Sequence, residues 1–117
     1  MEKVNNYEWV YSIPQGWEEL ARRMIAECEA IDSTYTIDDL KEKFGSMRVY
    51  SHCQSWYDNE INDYGRAIEN IEDKYETLST RTCCACGHPA TKISTGWILP
   101  WCDECGSDEK HYKRFDE

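Results

Sequence analysis

Four of the seven cysteines in this 117-residue chain stand in two matched pairs near its C-terminus. Cys83 and Cys86 close on Gly87, Cys102 and Cys105 close on Gly106, and fifteen residues separate the pairs. The pattern is C-x₂-C-x₁₅-C-x₂-C, the spacing of a four-thiolate zinc site. A C-x-x-C turn sets two sulfurs ~3.5–4 Å apart, one edge of a tetrahedron with Zn–S bonds of ~2.3 Å. The glycine after each pair is expected at positive φ, where the backbone folds back under the metal. Its N–H groups then point at the sulfurs and offset their charge. Four protein sulfurs leave no position for water, so one structural Zn²⁺ on Cys83, Cys86, Cys102 and Cys105 is the expected cofactor. Two disulfides would demand an oxidising compartment, and a thioredoxin-like pair would want a helix start inside a βαβ pattern.

The remaining cysteines carry weaker signals. Cys28 falls on an apolar helical stripe and reads as a small core residue. Cys84 lies inside the first pair and reads as a bystander, because only Cys83 with Cys86 gives the x₂ spacing. His52-Cys53 is a pair of ligand-type residues without a second spaced partner, and His88 reads as an outer-shell donor to the cysteines. Adjacent residues of a strand point to opposite faces, which argues against a Cys53–His52 catalytic pair.

A second constellation is basic. Lys41, Lys43 and Arg48 are three of only thirteen lysines and arginines, clustered within eight positions. With Tyr50 they form a candidate ligand or partner surface, since a guanidinium beside an aromatic ring can clamp a planar or anionic group. The plainer reading is a solvated face whose lysines pair with Asp38, Asp39 or Glu42.

Charge limits the partners. The chain carries 23 acidic against 13 basic residues, a formal charge of −10. Four bound thiolates and one Zn²⁺ would add two further negative charges. Such a surface repels nucleic-acid phosphate and anionic lipid. Between Thr82 and Gly106 the only lysine or arginine is Lys92, whereas a nucleic-acid-binding ribbon normally shows a basic face. No apolar run approaches the length of a membrane span. Met1-Glu2-Lys3 running into Asn5-Asn6 lacks the pattern of a secretory signal, and with the reduced cysteines it leads us to expect the cytoplasm. Gly-rich phosphate loops, H-E-x-x-H and G-x-S-x-G are missing from the sequence, so no enzyme is expected.

The elements that must position these residues follow from periodicity. Residues 1–12 read as a short extended arm. Leu20, Ala21, Met24, Ile25, Cys28 and Ile31 mark an amphipathic helix from Trp17. Residues 36–45 read as a short helix, with Thr36 as cap, Asp38 and Asp39 in the first turn and Gly45 closing it. Residues 47–52 alternate and read as a strand. Tyr57, Ile61, Tyr64, Ile68, Ile71, Tyr75 and Leu78 make three heptads of a long helix from about 55 to 79. That stripe packs either on the first helix and strand of its own chain or, as a seam, in a homodimer through residues 57–78. In the ribbon, 91–94 and 97–100 are the arms of a hairpin around Thr95-Gly96. The expected fold is α+β and mainly helical: two principal helices and a short strand in a core over 1–80, a zinc ribbon over 81–106, and a charged tail over 107–117. Tyr112 and Phe115 give that tail the spacing of a frayed helix or a disordered end.

Several of these segments form a recognisable set: Gly16-Trp17, then Lys41-Glu42-Lys43-Phe44-Gly45-Ser46-Met47-Arg48-Val49-Tyr50, then Cys83…Cys86-Gly87, Gly96-Trp97 and Cys102-Asp103-Glu104-Cys105. The set resembles a group of small proteins of tailed bacteriophages and prophages with a Gly-Trp start, a Lys-Glu-Lys-Phe-Gly-Gly-Leu-Arg-Phe-Tyr-like segment and a C-terminal pair of zinc knuckles. Here Ser46 replaces the second glycine of that segment. The resemblance implies a phage origin rather than an activity. Because small acidic phage proteins outside the virion machinery are often host-takeover or anti-defence factors, the expectation is a modulator or inhibitor of a host (defence) system that binds a bacterial protein in the host cytoplasm. The alternative expectation is a binder of a small anionic ligand or nucleotide through Lys41, Lys43, Arg48 and Tyr50.

Overall fold

A computed structural model of the chain describes residues 5–54, 63–106 and 111–115. Their arrangement is α+β, with a long hairpin packed on two α-helices and a small sheet around a cluster of four cysteines. A 3₁₀ segment, Asn6–Ser12, replaces the expected extended arm. Its buried Asn6 explains the tighter path. The Asn6 amide donates to the Tyr35 carbonyl at 2.8 Å and accepts from the Ile37 N–H at 2.9 Å, so the segment is pinned to the residues that open the first β-strand.

A second 3₁₀ turn, Gln15–Trp17, buries Gly16 and Trp17 and leads into helix α1, Glu18–Ile31. Ala21, Met24, Ile25 and Cys28 are its buried stripe, at the spacing that the sequence predicts. Glu18 and Glu19 lie in its first turn, where the helix dipole favours them.

The segment expected as a short helix is a strand. β1, Thr36–Lys43, pairs antiparallel with β2, Ser46–His52. An irregularity between Ile37 and Asp39 inserts one residue, so the buried Ile37 and Leu40 stand three apart. A bulge thereby turns a period of two into a helix-like i, i+3 step. Lys43 pairs with Ser46 across a two-residue turn whose central residues, Phe44 and Gly45, have φ of 53° and 82°. Positive φ at both positions is the signature of a type I′ hairpin turn. Ser46, where the phage-protein pattern has a second glycine, lies beyond the strained pair.

Helix α2 is described over Asp63–Ser79, and the seam positions Tyr57 and Ile61 lie outside the described residues. Ile68 and Tyr75 are buried and Ile71 is packed against the same core, whereas Tyr64 and Leu78 are exposed. The middle of the stripe therefore faces its own chain. At the end of α2 the Ser79 hydroxyl accepts from the Met47 N–H at 2.8 Å and donates to the Glu76 carbonyl.

The ribbon contributes β3, Lys92–Ser94, and β4, Pro100–Trp101. Residues expected as a helical or disordered tail add β5, Tyr112–Arg114, on the other edge of β3. Tyr112 packs edge-on against Trp101 with ring centroids 6.0 Å apart, which holds the strand to the sheet. Among the described residues no helix is long and apolar enough to cross a membrane.

Candidate metal centre

The four paired cysteines converge. Their sulfurs all lie within 4.8 Å of one another, and Cys86 Sγ is 3.6 Å from Cys102 Sγ. An ideal Zn–S tetrahedron has edges of about 3.8 Å, so the cluster could hold one metal ion with little adjustment. Cys83 and Cys102 are buried, and Cys86 and Cys105 form the outer rim.

The first knuckle is built by main-chain hydrogen bonds. The Gly87 N–H donates to the Cys83 carbonyl at 3.0 Å, and the Cys83 N–H donates to the His88 carbonyl at 2.8 Å. Gly87 has φ of 83°, as expected for this turn. The second knuckle repeats the main-chain bond, Gly106 N–H to Cys102 carbonyl at 2.9 Å, and adds Cys105 N–H to Cys102 Sγ at 3.4 Å. Gly106 is not in the left-handed region, which corrects the expectation for it. Space explains this glycine: a Cβ there would stand 2.9 Å from both Trp101 Cβ and Lys92 Cε.

The thiols in and around the cluster differ in how readily they ionise. Burial works against the Cys83 thiolate, but main-chain hydrogen bonds from Cys86, Cys102 and Ala85 outweigh it and bring the thiol down to about 6. The Cys105 thiol is pushed up by the sulfurs of Cys102 and Cys86 beside it. Four thiolates this close cannot all ionise unless a cation sits between them. Burial pushes the neighbouring Cys84 thiol up to about 12, and Cys28, on the buried face of α1, likewise to about 12. His88 serves the site through its main chain, but its hydrogen bond to Cys86 is outweighed by burial and by the sulfurs of Cys102 and Cys83, so the Cys86 thiol stands above its ordinary value.

Sequence reasoning missed the socket that receives the first knuckle. The Gly16 N–H donates to the Cys84 carbonyl at 2.8 Å, and the fully buried Trp17 donates its indole N–H to the Thr82 carbonyl at 2.9 Å. A Cβ on Gly16 would meet the Cys83 carbonyl oxygen at 2.1 Å, and one on Gly87 would meet the Gly16 carbonyl at 3.0 Å. Two glycines 71 positions apart are thus pressed face to face. The only signal in the sequence was the Gly-Trp pair itself, which carries no hint of its distant partner.

The basic constellation is partly assembled. Lys41 stands opposite Arg48 across the hairpin, with its ammonium 5.4 Å from the Tyr50 ring. Both cations are engaged by carboxylates of this chain, Lys41 by Asp39 at 3.1 Å and Arg48 by Glu76 at 2.9 Å. Lys43 points elsewhere, 5.9 Å over the Phe44 ring. His52 pairs with Asp38 at 2.8 Å on the outer side of the hairpin, while Cys53 is buried.

The ribbon's single lysine, Lys92, is buried, with its ammonium 5.0 Å from the centroid of the Tyr112 ring. Asp103 accepts from Thr91 Oγ1 at 2.7 Å and from Arg114 at 3.0 Å, which together hold its carboxyl below the usual carboxylate range. This polar clasp fastens the second knuckle to the sheet. No family model, no curated protein and no solved structure matches this chain.

Proposed function

We propose that this chain is a protein-interaction module: an acidic scaffold braced by one structural Zn²⁺ that binds a host bacterial protein. In keeping with the phage resemblance, it would be a phage-encoded modulator or inhibitor of a host system such as defence, acting in the host cytoplasm. The observation that carries this reading is the closed four-sulfur cluster locked into the Gly16 socket. A cation held there by four thiolates has no open position for substrate or water, so its role is to hold the two knuckles at a fixed distance. An all-thiolate tetrahedral set favours zinc over harder divalent ions.

Charge supports the same reading. Arg22, Arg23, Lys41, Arg48, Lys74 and Arg114 are all in ion pairs with the chain's own acids, which leaves the acidic surplus to face the solvent. A surface of this sign selects basic partners and speeds their encounter. With Lys92 buried and Arg114 paired with Asp103, Lys113 of β5 is the exposed basic residue left on the ribbon's sheet, a thin basis for recognising phosphate. A small-anion site at Lys41 and Arg48 would first have to break the pairs with Asp39 and Glu76, and no observation favours it over the scaffold reading.

The test has two parts. Metal analysis of the purified chain should return one zinc per molecule, and cobalt substitution should give the absorption of tetrahedral thiolate coordination. Affinity capture from bacterial lysate at low salt should recover one specific partner, released by raised salt. Recovery of none, or of nucleic acid instead, would sink the reading.

A further inference from the structure

The tips of the two hairpins meet in a cleft of about 330 Å³, lined by Glu42, Lys43, Phe44, Gly96, Trp97 and Ile98. The Trp97 indole donates to Glu42 at 2.9 Å, and a Cβ on Gly45 would touch Ile98 Cγ2 at 3.1 Å, so the tips are held together. The three apolar side chains are nevertheless turned outward: Phe44 and Trp97 are 75 % exposed and Ile98 41 %.

Phe44 is the informative residue. Its φ of 53° belongs to the left-handed region, where asparagine or glycine is at ease and a bulky side chain is strained. Folding gains almost nothing from a ring left in solvent at a strained position, so the phenylalanine is there for something other than the core. Resting on the interaction-module reading, we propose that this cleft is the docking site for a basic protein segment, which inserts one large apolar side chain between Phe44 and Trp97.

Size and charge select that occupant. The volume sits at the floor of the ~300–1,000 Å³ range of small-molecule pockets and suits a single side chain. A chain of charge −10 draws lysine- and arginine-rich segments and repels acidic ones. A second copy of this chain would approach against its own −10, and a nucleobase would bring phosphate with it. A large apolar anchor seated in a pocket, surrounded by contacts that exclude water, is the usual anatomy of an interface hot spot.

The test is selection of a random dodecapeptide display library on the immobilised full chain, followed by titration of the enriched peptides. Enriched sequences should carry one large apolar residue flanked by lysine or arginine. Their binding should fall about tenfold or more in Phe44→Asn and in Trp97→Ser. Phe44→Asn suits the turn and should melt no lower than the parent, so its loss of binding cannot be charged to unfolding. No enrichment, enrichment of acidic peptides, or unchanged binding in both variants overturns the cleft, as does dimerisation that Trp97→Ser abolishes. A lysate partner captured equally by the parent and Phe44→Asn would overturn the cleft while the interaction-module reading stands. Capture of a partner by neither chain would remove both.

Discussion

The two knuckles share one sequence pattern and are fastened by different physics. The first, Cys83 to Gly87, is a joint: its main chain is hydrogen-bonded to Gly16, clasped by the Trp17 indole and pressed against a glycine that has no room for a methyl group. The second, Cys102 to Gly106, is closer to a cover over the sulfurs. It is held by the edge of a small sheet, by the Trp101–Tyr112 ring contact and by the exposed Asp103 clasp. Matched C-x-x-C-G spacing thus dictates where the sulfurs go. It does not dictate what carries the load.

The sharpest way to break this contrast is Gly16→Ala. The new Cβ would lie 2.1 Å from one carbonyl oxygen and 2.6 Å from the next carbonyl carbon, and both are backbone atoms that cannot rotate away. We expect a loss of about 3 kcal/mol or more, at the upper end of overpacking costs, in denaturant titration of the metal-loaded chain. Gly96→Ala is the control, since nothing lies within 4 Å of its Cβ position, and it should change stability by less than about 0.5 kcal/mol. Similar midpoints for the two variants would mean that the first knuckle is not docked.

Next in size is removal of one sulfur from each knuckle. Cys83→Ser and Cys105→Ser should both weaken metal binding by more than the ~10–100-fold that follows loss of an outer-shell partner. They should part in what else they disturb. Cys83 is buried beside Gly16, so its loss should raise hydrogen exchange at the Gly16 amide and shift the emission of Trp17. Cys105 lies on the exposed rim, and its loss should leave those two readouts and the helical circular dichroism in place. Chelation of the parent should act like both together, loosening the ribbon before α1. Loss of all helical signal on chelation would show instead that the metal organises the whole core.

How much of this was legible beforehand depends on the range of the forces involved. α1 and the described part of α2 follow from apolar periodicity within one element, β2 from alternation, and the sulfur cluster from spacing alone. β1 was misread because a bulge set Ile37 and Leu40 three apart, while Asp38, Asp39 and Gly45 supplied helix-like end signals. Pairing with β2 overrode those local preferences. β5 was hidden for the same reason: Tyr112 and Phe115 are spaced as on a helix, but the edge of β3 offered hydrogen bonds that the sequence of the tail does not announce. The Gly16 socket and the Phe44–Trp97 cleft are contacts between distant segments. No window of sequence contains both halves of either.

A pair of glycine substitutions sharpens the contrast further. Gly87→Ala puts an L-residue at φ 83° and brings a methyl group to 3.0 Å from the Gly16 carbonyl, for an expected cost of about 1–2 kcal/mol. Gly106→Ala meets no backbone strain but must displace Lys92 and crowd Trp101 and Tyr112, for an expected cost of about 1 kcal/mol. Asparagine tells the two apart, because it tolerates left-handed backbone but takes more space than alanine. Gly87→Asn should therefore melt above Gly87→Ala, and Gly106→Asn below Gly106→Ala. The same order at both sites would mean that the two glycines serve one purpose after all.

The smallest effect should come from Asp103→Asn, and salt is the way to see it. The Arg114–Asp103 pair is exposed on both sides, so solvent and ions compete with it. At low ionic strength the variant should release metal to a competing chelator slightly faster than the parent. In 1 M salt the Debye length shrinks to about 3 Å, and the parent's rate should rise to meet the variant's. The first knuckle supplies the internal reference, because its fastening to Gly16 and Trp17 is made of buried main-chain and indole hydrogen bonds that salt does not screen. Exchange at the Gly16 amide should stay constant across the same series while exchange at the Gly106 amide climbs. If both amides respond alike, the clasp and the socket belong to one cooperative unit, and the division of the ribbon into joint and cover fails.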